Sequence, residues 1–165
     1  MGDSDYSSVL FPGQTVQFKN LVTVTRAANN RVFYRQPATL PSDRKAGKGH
    51  PVWYGKPFRL KDDATWDAPD ETFTTDYISR RGKRYTLHLE GWRDLLMRGK
   101  KDRPMHRHPF TLVRVRLLNE TGKPVFKRPM WLIALGERRY ELSLLDIWNS
   151  YEQRVDIEHF FRFGK

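Results

Sequence analysis

From Arg31 to Leu135 the sequence divides into short runs rich in Val, Ile, Leu, Thr and aromatic residues, separated by Gly, Pro and Asn, whereas no Gly or Pro interrupts Ser143 to Phe163. Strand-length runs between turn residues favour a sheet, and a long breaker-free stretch favours a helix. The expected strands are 31–35, 71–75, 85–89, 110–116 and 131–135, with turns at Arg81-Gly82-Lys83 and at 119–122. Ahead of them, the run Leu21 to Thr25 reads as a buried strand, and 37–55, rich in Pro, Gly, Lys and Arg, reads as a basic loop. Ser143 and Asp146 form a plausible capping pair for the closing helix. Leu144, Ile147, Trp148, Tyr151 and Val155 recur at helical spacing and would pack its first turns on a core. Three zones result: 1–28 resembles half of an α/β unit, 29–136 is β-rich, and 137–165 is helical.

Charge sharpens this division. Thirty Lys and Arg against nineteen Asp and Glu give +11. Residues 1–30 balance at two and two, 31–128 carry twenty-three basic against eleven acidic, and 129–165 carry five against six. An excess confined to the middle zone points to a polyanionic partner rather than to solubility alone. Alternation at 112–116 would turn Val113 and Val115 to a core and present Arg114 and Arg116 outward, where they could meet phosphates. The chain has no cysteine, which excludes disulfides and Cys-based zinc sites. Its first residues are polar and acidic and no run is long enough to span a membrane, so a soluble, cytoplasmic protein is expected.

The closing helix carries Tyr151, Arg154, Glu158 and Lys165. At ~100° per residue these positions project within an arc of about 60°, which lines a phenol, a guanidinium, a carboxylate and an ammonium along one stripe. A carboxylate so flanked stays ionised and can ligate a divalent ion, while the cations and the phenol can hold phosphates. An amphipathic helix with incidental charges is the plainer reading.

In identity and spacing these four residues resemble the Tyr-Arg-Glu-Lys signature of bacterial insertion-sequence transposases of the DDE type. The resemblance extends to Asp3-Ser4-Asp5-Tyr6, which stands where the second catalytic Asp of that class falls. It extends also to the run from Asn30 to Tyr34 and to the run from Lys127 to Leu135, which look like segments of the family's β-rich insertion. It implies an α/β fold: a partial ribonuclease H-like core (1–28 and 137–165), lacking its first strands, interrupted by a basic β-rich insertion (29–136) and closing with the long helix that carries the catalytic Glu. It also implies that Asp3 and Glu158 are catalytic and metal-ligating residues of a site holding two Mg²⁺ ions for phosphoryl transfer. Tyr151, Arg154 and Lys165 would then contact DNA phosphates at the transposon ends or the target. Trp131, at the start of the insertion's last strand, would either stack on a flipped base, as in characterised relatives, or fill the core.

The family's first Asp lies well upstream of the second, and nothing ahead of Asp3 matches it. On the resemblance, therefore, the chain is expected to be a fragment truncated at both ends, inactive alone, nucleoid-associated through DNA, and prone to self-association through exposed sheet edges. The alternatives are a non-catalytic basic nucleic-acid-binding protein and an RNA-binding protein unrelated to transposition. His106, His108 and His159 lack the neighbours of a metal site, and Trp53, Trp66, Trp92 and Trp148 read as anchors of core or loop.

Overall fold

The computed structural model describes residues 14–38 and 52–163, from 154 onward as helix backbone alone. Strands β1 (Thr23–Ala27), β2 (Val32–Tyr34), β3 (Pro57–Arg59), β4 (Glu71–Ile78), β5 (Arg84–Leu95), β6 (Phe110–Leu118) and β7 (Met130–Leu135) precede helix α1 (Leu144–Phe163). Five strands form one sheet in the order β1-β7-β6-β5-β4, and β2 pairs with β3 as a separate ribbon. The chain is thus a mixed α/β structure whose main sheet is antiparallel throughout.

The meander from β4 to β7 follows from turn chemistry. Between β4 and β5 the loop closes with Ser79 N donating to Lys83 O at 2.8 Å, and Gly82 takes a left-handed φ of 73°. Between β6 and β7 the Asn119 side-chain oxygen accepts from the backbone N–H of Thr121 and Lys123 at 3.1 and 2.8 Å, with Gly122 left-handed at φ 76°. Asn and Gly are the residues that such turns require. β1 then pairs with β7, placing Ala27 opposite Trp131 and Thr23 opposite Leu135, so residues on either side of position 28 share one sheet.

Alternation along these strands gives the sheet two apolar faces. On one face Leu87, Leu89, Val113, Val115, Leu132 and Ala134 meet Leu144, Ile147, Trp148 and Tyr151 of α1. On the other, Trp92, Leu95, Phe110, Leu112, Trp131 and Ile133 are covered by Phe33 and Phe58 from the β2–β3 ribbon, by Leu60 just after it, and by Met97 and Met105. α1 can settle closely because β5 has Gly91 beneath its first turn: a Cβ there would fall 2.6 Å from Leu144 Cδ2. The helix starts as its sequence dictates. Ser143 Oγ accepts from the Asp146 N–H at 3.1 Å, and Asp146 Oδ2 accepts from the Ser143 N–H at 2.9 Å, so two otherwise orphaned donors are satisfied.

The strand reading holds for the six expected strands, each of which lies within two residues of its expected start. It stopped short on β5, which continues through an irregularity between Trp92 and Leu95. It also missed β3, a three-residue strand beginning at Pro57, because so short a run has no readable period. Most of the expected basic loop, at 39–51, lies outside the described residues.

Candidate nucleic-acid interface

α1 is continuous from Leu144 to Phe163. Position 158 therefore falls two turns beyond Tyr151 on one unbroken backbone, with position 154 between them. Asp3 and Lys165 lie outside the described residues, as do the side chains at 154 and 158. Tyr151 is 5% exposed and packs beside Trp148, ring centroids 6.5 Å apart, so its ring is anchored on the sheet.

Beside α1 a groove of about 600 Å³ opens between the helix and the β4–β5 hairpin. Its aromatic wall is Tyr77, Tyr85, Trp148 and Tyr151, and its basic rim is Arg26, Arg80, Arg81 and Lys83, with Glu152 the one carboxylate among the described residues that line it. The hairpin explains this composition. Its five-residue loop projects three cations, and the alternate residues Tyr77 and Tyr85, directly paired across the strands, lie 6.4 Å apart on the helix side. Cations beside aromatic faces can hold both the charge and the bases of a nucleic acid. The sequence pattern gives Arg81 to Lys83 as a turn and Tyr85 as the start of a strand, with no site at either; the signal that could have found them is a basic turn flanked at equal distances by two tyrosines.

Tyr77 donates its hydroxyl hydrogen to Glu152 of α1, tying hairpin to helix. Burial first, and then the Glu152 carboxylate, push the Tyr77 phenol up to about 12. The unfolded chain gives up this proton near pH 10 while the folded chain keeps it, so the stability due to the neutral phenol is lost as pH rises from 10 to about 12. The expected result is that one phenolate absorbance in an alkaline titration emerges last, near pH 12, and moves downward in Glu152→Gln. A Tyr77→Phe protein that retained this late component would refute the assignment.

The two arginines of β6 are engaged within the protein. Arg114 stands directly across from Glu90 and bonds its carboxylate, while its guanidinium lies over the Trp66 ring at 4.8 Å. Arg116 faces His88 and approaches Glu90 at 3.8 Å, and His88 in turn shares a hydrogen bond of 2.7 Å with Thr74. Both project from the sheet face opposite α1, so they and the groove lie on different faces. Trp131 has no exposed surface; its ring lies 5.1 Å from Trp66, 5.8 Å from Trp92 and 6.3 Å from Phe58. A base could reach it only after those rings moved away. His106 stacks on Trp53 at 4.4 Å, and burial followed by the neighbouring Arg107 lowers its pKa.

Among the described residues no group of three or more His, Asp or Glu is placed to hold a metal ion, and no helix is long and apolar enough to cross a membrane. A family model described as DDE superfamily endonuclease matches residues 1–98. No curated protein and no solved structure matches the chain.

Proposed function

The chain belongs to the DDE superfamily endonucleases, and from that premise we propose that it is part of the catalytic region of an insertion-sequence transposase of the Tyr-Arg-Glu-Lys class. Enzymes of this superfamily act on DNA and generally use divalent metal ions. In this reading 1–28 and 137–165 are pieces of a ribonuclease H-like core and 29–136 is its insertion. The observation that carries the proposal is α1: one unbroken helix holds positions 151, 154 and 158, seated on the sheet beside a groove whose described lining holds four cations and one carboxylate.

Asp3 and Glu158 would offer the hard carboxylate oxygens that suit Mg²⁺. When bound, the ions would activate water or a 3′-hydroxyl and stabilise the leaving oxygen. The described residues contribute positioning. Tyr151 fixes the helix on the sheet, Glu152 latches it to the hairpin through Tyr77, and Arg26, Arg80, Arg81 and Lys83 are placed to steer the DNA backbone along the groove. Arg154 and Lys165 would extend that grip toward the cut.

Manganese, a paramagnetic substitute for Mg²⁺, tests the metal assignment in the full chain. Line broadening is expected to centre on residues around 3 and 158 and to vanish in Asp3→Asn and in Glu158→Gln, while Glu152→Gln retains it. Broadening indifferent to both changes would remove the metal site from the proposal. The groove itself needs no metal, which favours a second reading as a non-catalytic DNA-binding module. Salt-dependent duplex binding in a Glu158→Gln protein that binds no Mn²⁺ is its mark.

A further inference from the structure

A second concavity, of about 490 Å³, shares Arg26 with the groove and is lined by Lys61, Arg128 and the turn from Ala27 to Asn30. We propose that Arg26, Lys61 and Arg128 form a phosphate clamp that grips the DNA backbone and continues the groove's cationic track around the end of the sheet. The inference rests on the reading of the chain as a DNA-handling protein.

Three separate segments deliver these cations, and the backbone explains why they meet. Ala27 lies opposite Trp131 in the β1–β7 register, which brings the approach to β7, and with it Arg128, alongside the end of β1. The turn after β1 closes with Arg31 N donating to Ala28 O at 3.1 Å. Leu60 N donates to Arg31 O, also at 3.1 Å, which sets Lys61 beside the same turn. Ala27 and Ala28 add only methyl groups, and that leaves the hollow open, while the Asn29 and Asn30 amides can donate to anionic oxygens.

Like charges that converge without a countercharge raise the energy of the folded state unless an anion joins them. Several arginines elsewhere in the protein meet carboxylates: Arg35 with Asp67, Arg93 with Glu71, Arg114 with Glu90, Arg139 with Asp94. Among the described residues no carboxylate lines this hollow, and no ion pair involves Arg26, Lys61 or Arg128. A polymer of phosphates fits better than a single small anion, because Arg26 lines both concavities and joins them into one path.

The test is duplex DNA binding by the full chain, without divalent metal, across a range of salt. Each lost phosphate contact flattens the slope of log K against log salt by ~0.9. The triple variant Arg26→Gln, Lys61→Gln, Arg128→Gln is therefore expected to flatten it by about 2.7, and Lys61→Gln alone by about 0.9. A control that neutralises the exposed Lys101, Arg107 and Lys123 should keep the parent slope. Equal flattening in both triple variants, or an unchanged slope in the clamp variant, overturns the clamp while leaving DNA binding intact. Absence of duplex binding in the unaltered protein overturns the clamp and the DNA reading together. Inorganic phosphate that displaces DNA at equimolar concentration would make the hollow a free-anion site instead, and duplex RNA bound as tightly with the same slopes would reassign the partner; either result overturns the proposal.

Discussion

Trp131→Ala is expected to destabilise the protein by about 3–5 kcal/mol, the cost of emptying a large aromatic site in a packed core. A domain's whole stability is of the order of 5–15 kcal/mol, so the variant should lose a large fraction of it and melt far below the parent. The size of the effect follows from the neighbours. Trp131 lies within 6.3 Å of the centroids of Phe58, Trp66 and Trp92, and those rings pack on one another as well, with Phe58 5.3 Å from Trp92. Trp66 and Trp92 also donate their indole hydrogens to the carbonyls of Arg59 and Asp67, at 2.7 and 2.8 Å, so they are not free to collapse into a void. The Trp131 indole nitrogen, in contrast, is buried with no partner among the described residues. Trp131→Phe should therefore cost much less, about 1 kcal/mol, because the lost volume is offset by removing an unsatisfied donor. Paired chemical denaturation curves measure both changes, and equal midpoints for the Ala and Phe variants would show that the ring cluster does not hold this core together.

The same cluster shows where sequence reasoning has purchase and where it stops. Strand positions and the closing helix follow from local pattern, since turn chemistry at Gly82 and Gly122 and the Ser143–Asp146 cap act over a few residues. The face on which a side chain ends is a different matter. Val113 and Val115 face α1 as their alternation suggests, but Leu112 and Phe110 on the opposite face are equally buried, because the distant β2–β3 ribbon folds over them. For that reason Arg114 lies against Trp66 rather than standing in an open row of guanidinium groups. Nothing within 112–116 announces Trp66, nearly fifty positions away in the sequence.

The candidate site divides likewise. The helix that holds positions 151, 154 and 158 is local, and it was legible because a breaker-free run and its Ser143–Asp146 cap act within a few turns. The groove beside it is not local. It needs β1 to bring Arg26 next to β7, and the hairpin to reach the helix through Tyr77 and Glu152. Pairing of the first sheet strand with the last is a choice among topologies that residue pattern leaves open. The basic excess of the middle zone was readable as a sum, whereas its sorting into paired arginines and unpaired ones depends on contacts between segments far apart in the chain.

Asp94→Ala is the second large effect, expected at about 3 kcal/mol, and it bears on how α1 is aimed. Arg139, in the turn leading to the helix, is 5% exposed; it bonds the Asp94 carboxylate and donates to the Gly136 carbonyl at 3.1 Å. Tyr140 donates its hydroxyl hydrogen to the same carboxylate and lies under the Arg139 guanidinium at 4.2 Å. Removing Asp94 strands a buried guanidinium, which costs ~3–5 kcal/mol when a pair is fully buried. Asp94 is itself 43% exposed on its side chain, so the lower end applies. Removing the other partner should cost less: Arg139→Met leaves an exposed carboxylate that water can solvate. Asp94 also sits at φ 56°, a left-handed conformation that non-glycine residues adopt at some cost, at the irregular end of β5. Asp94→Gly should accordingly lose less stability than Asp94→Ala, since glycine relieves the backbone while forfeiting the same ion pair. The ordering Ala worse than Gly, and Asp94→Ala worse than Arg139→Met, is read from denaturation midpoints. If Arg139→Met proved the most damaging of the three, the corner would be held by packing of the arginine stem rather than by its charge, and the ion pair would lose its role in fixing the start of α1.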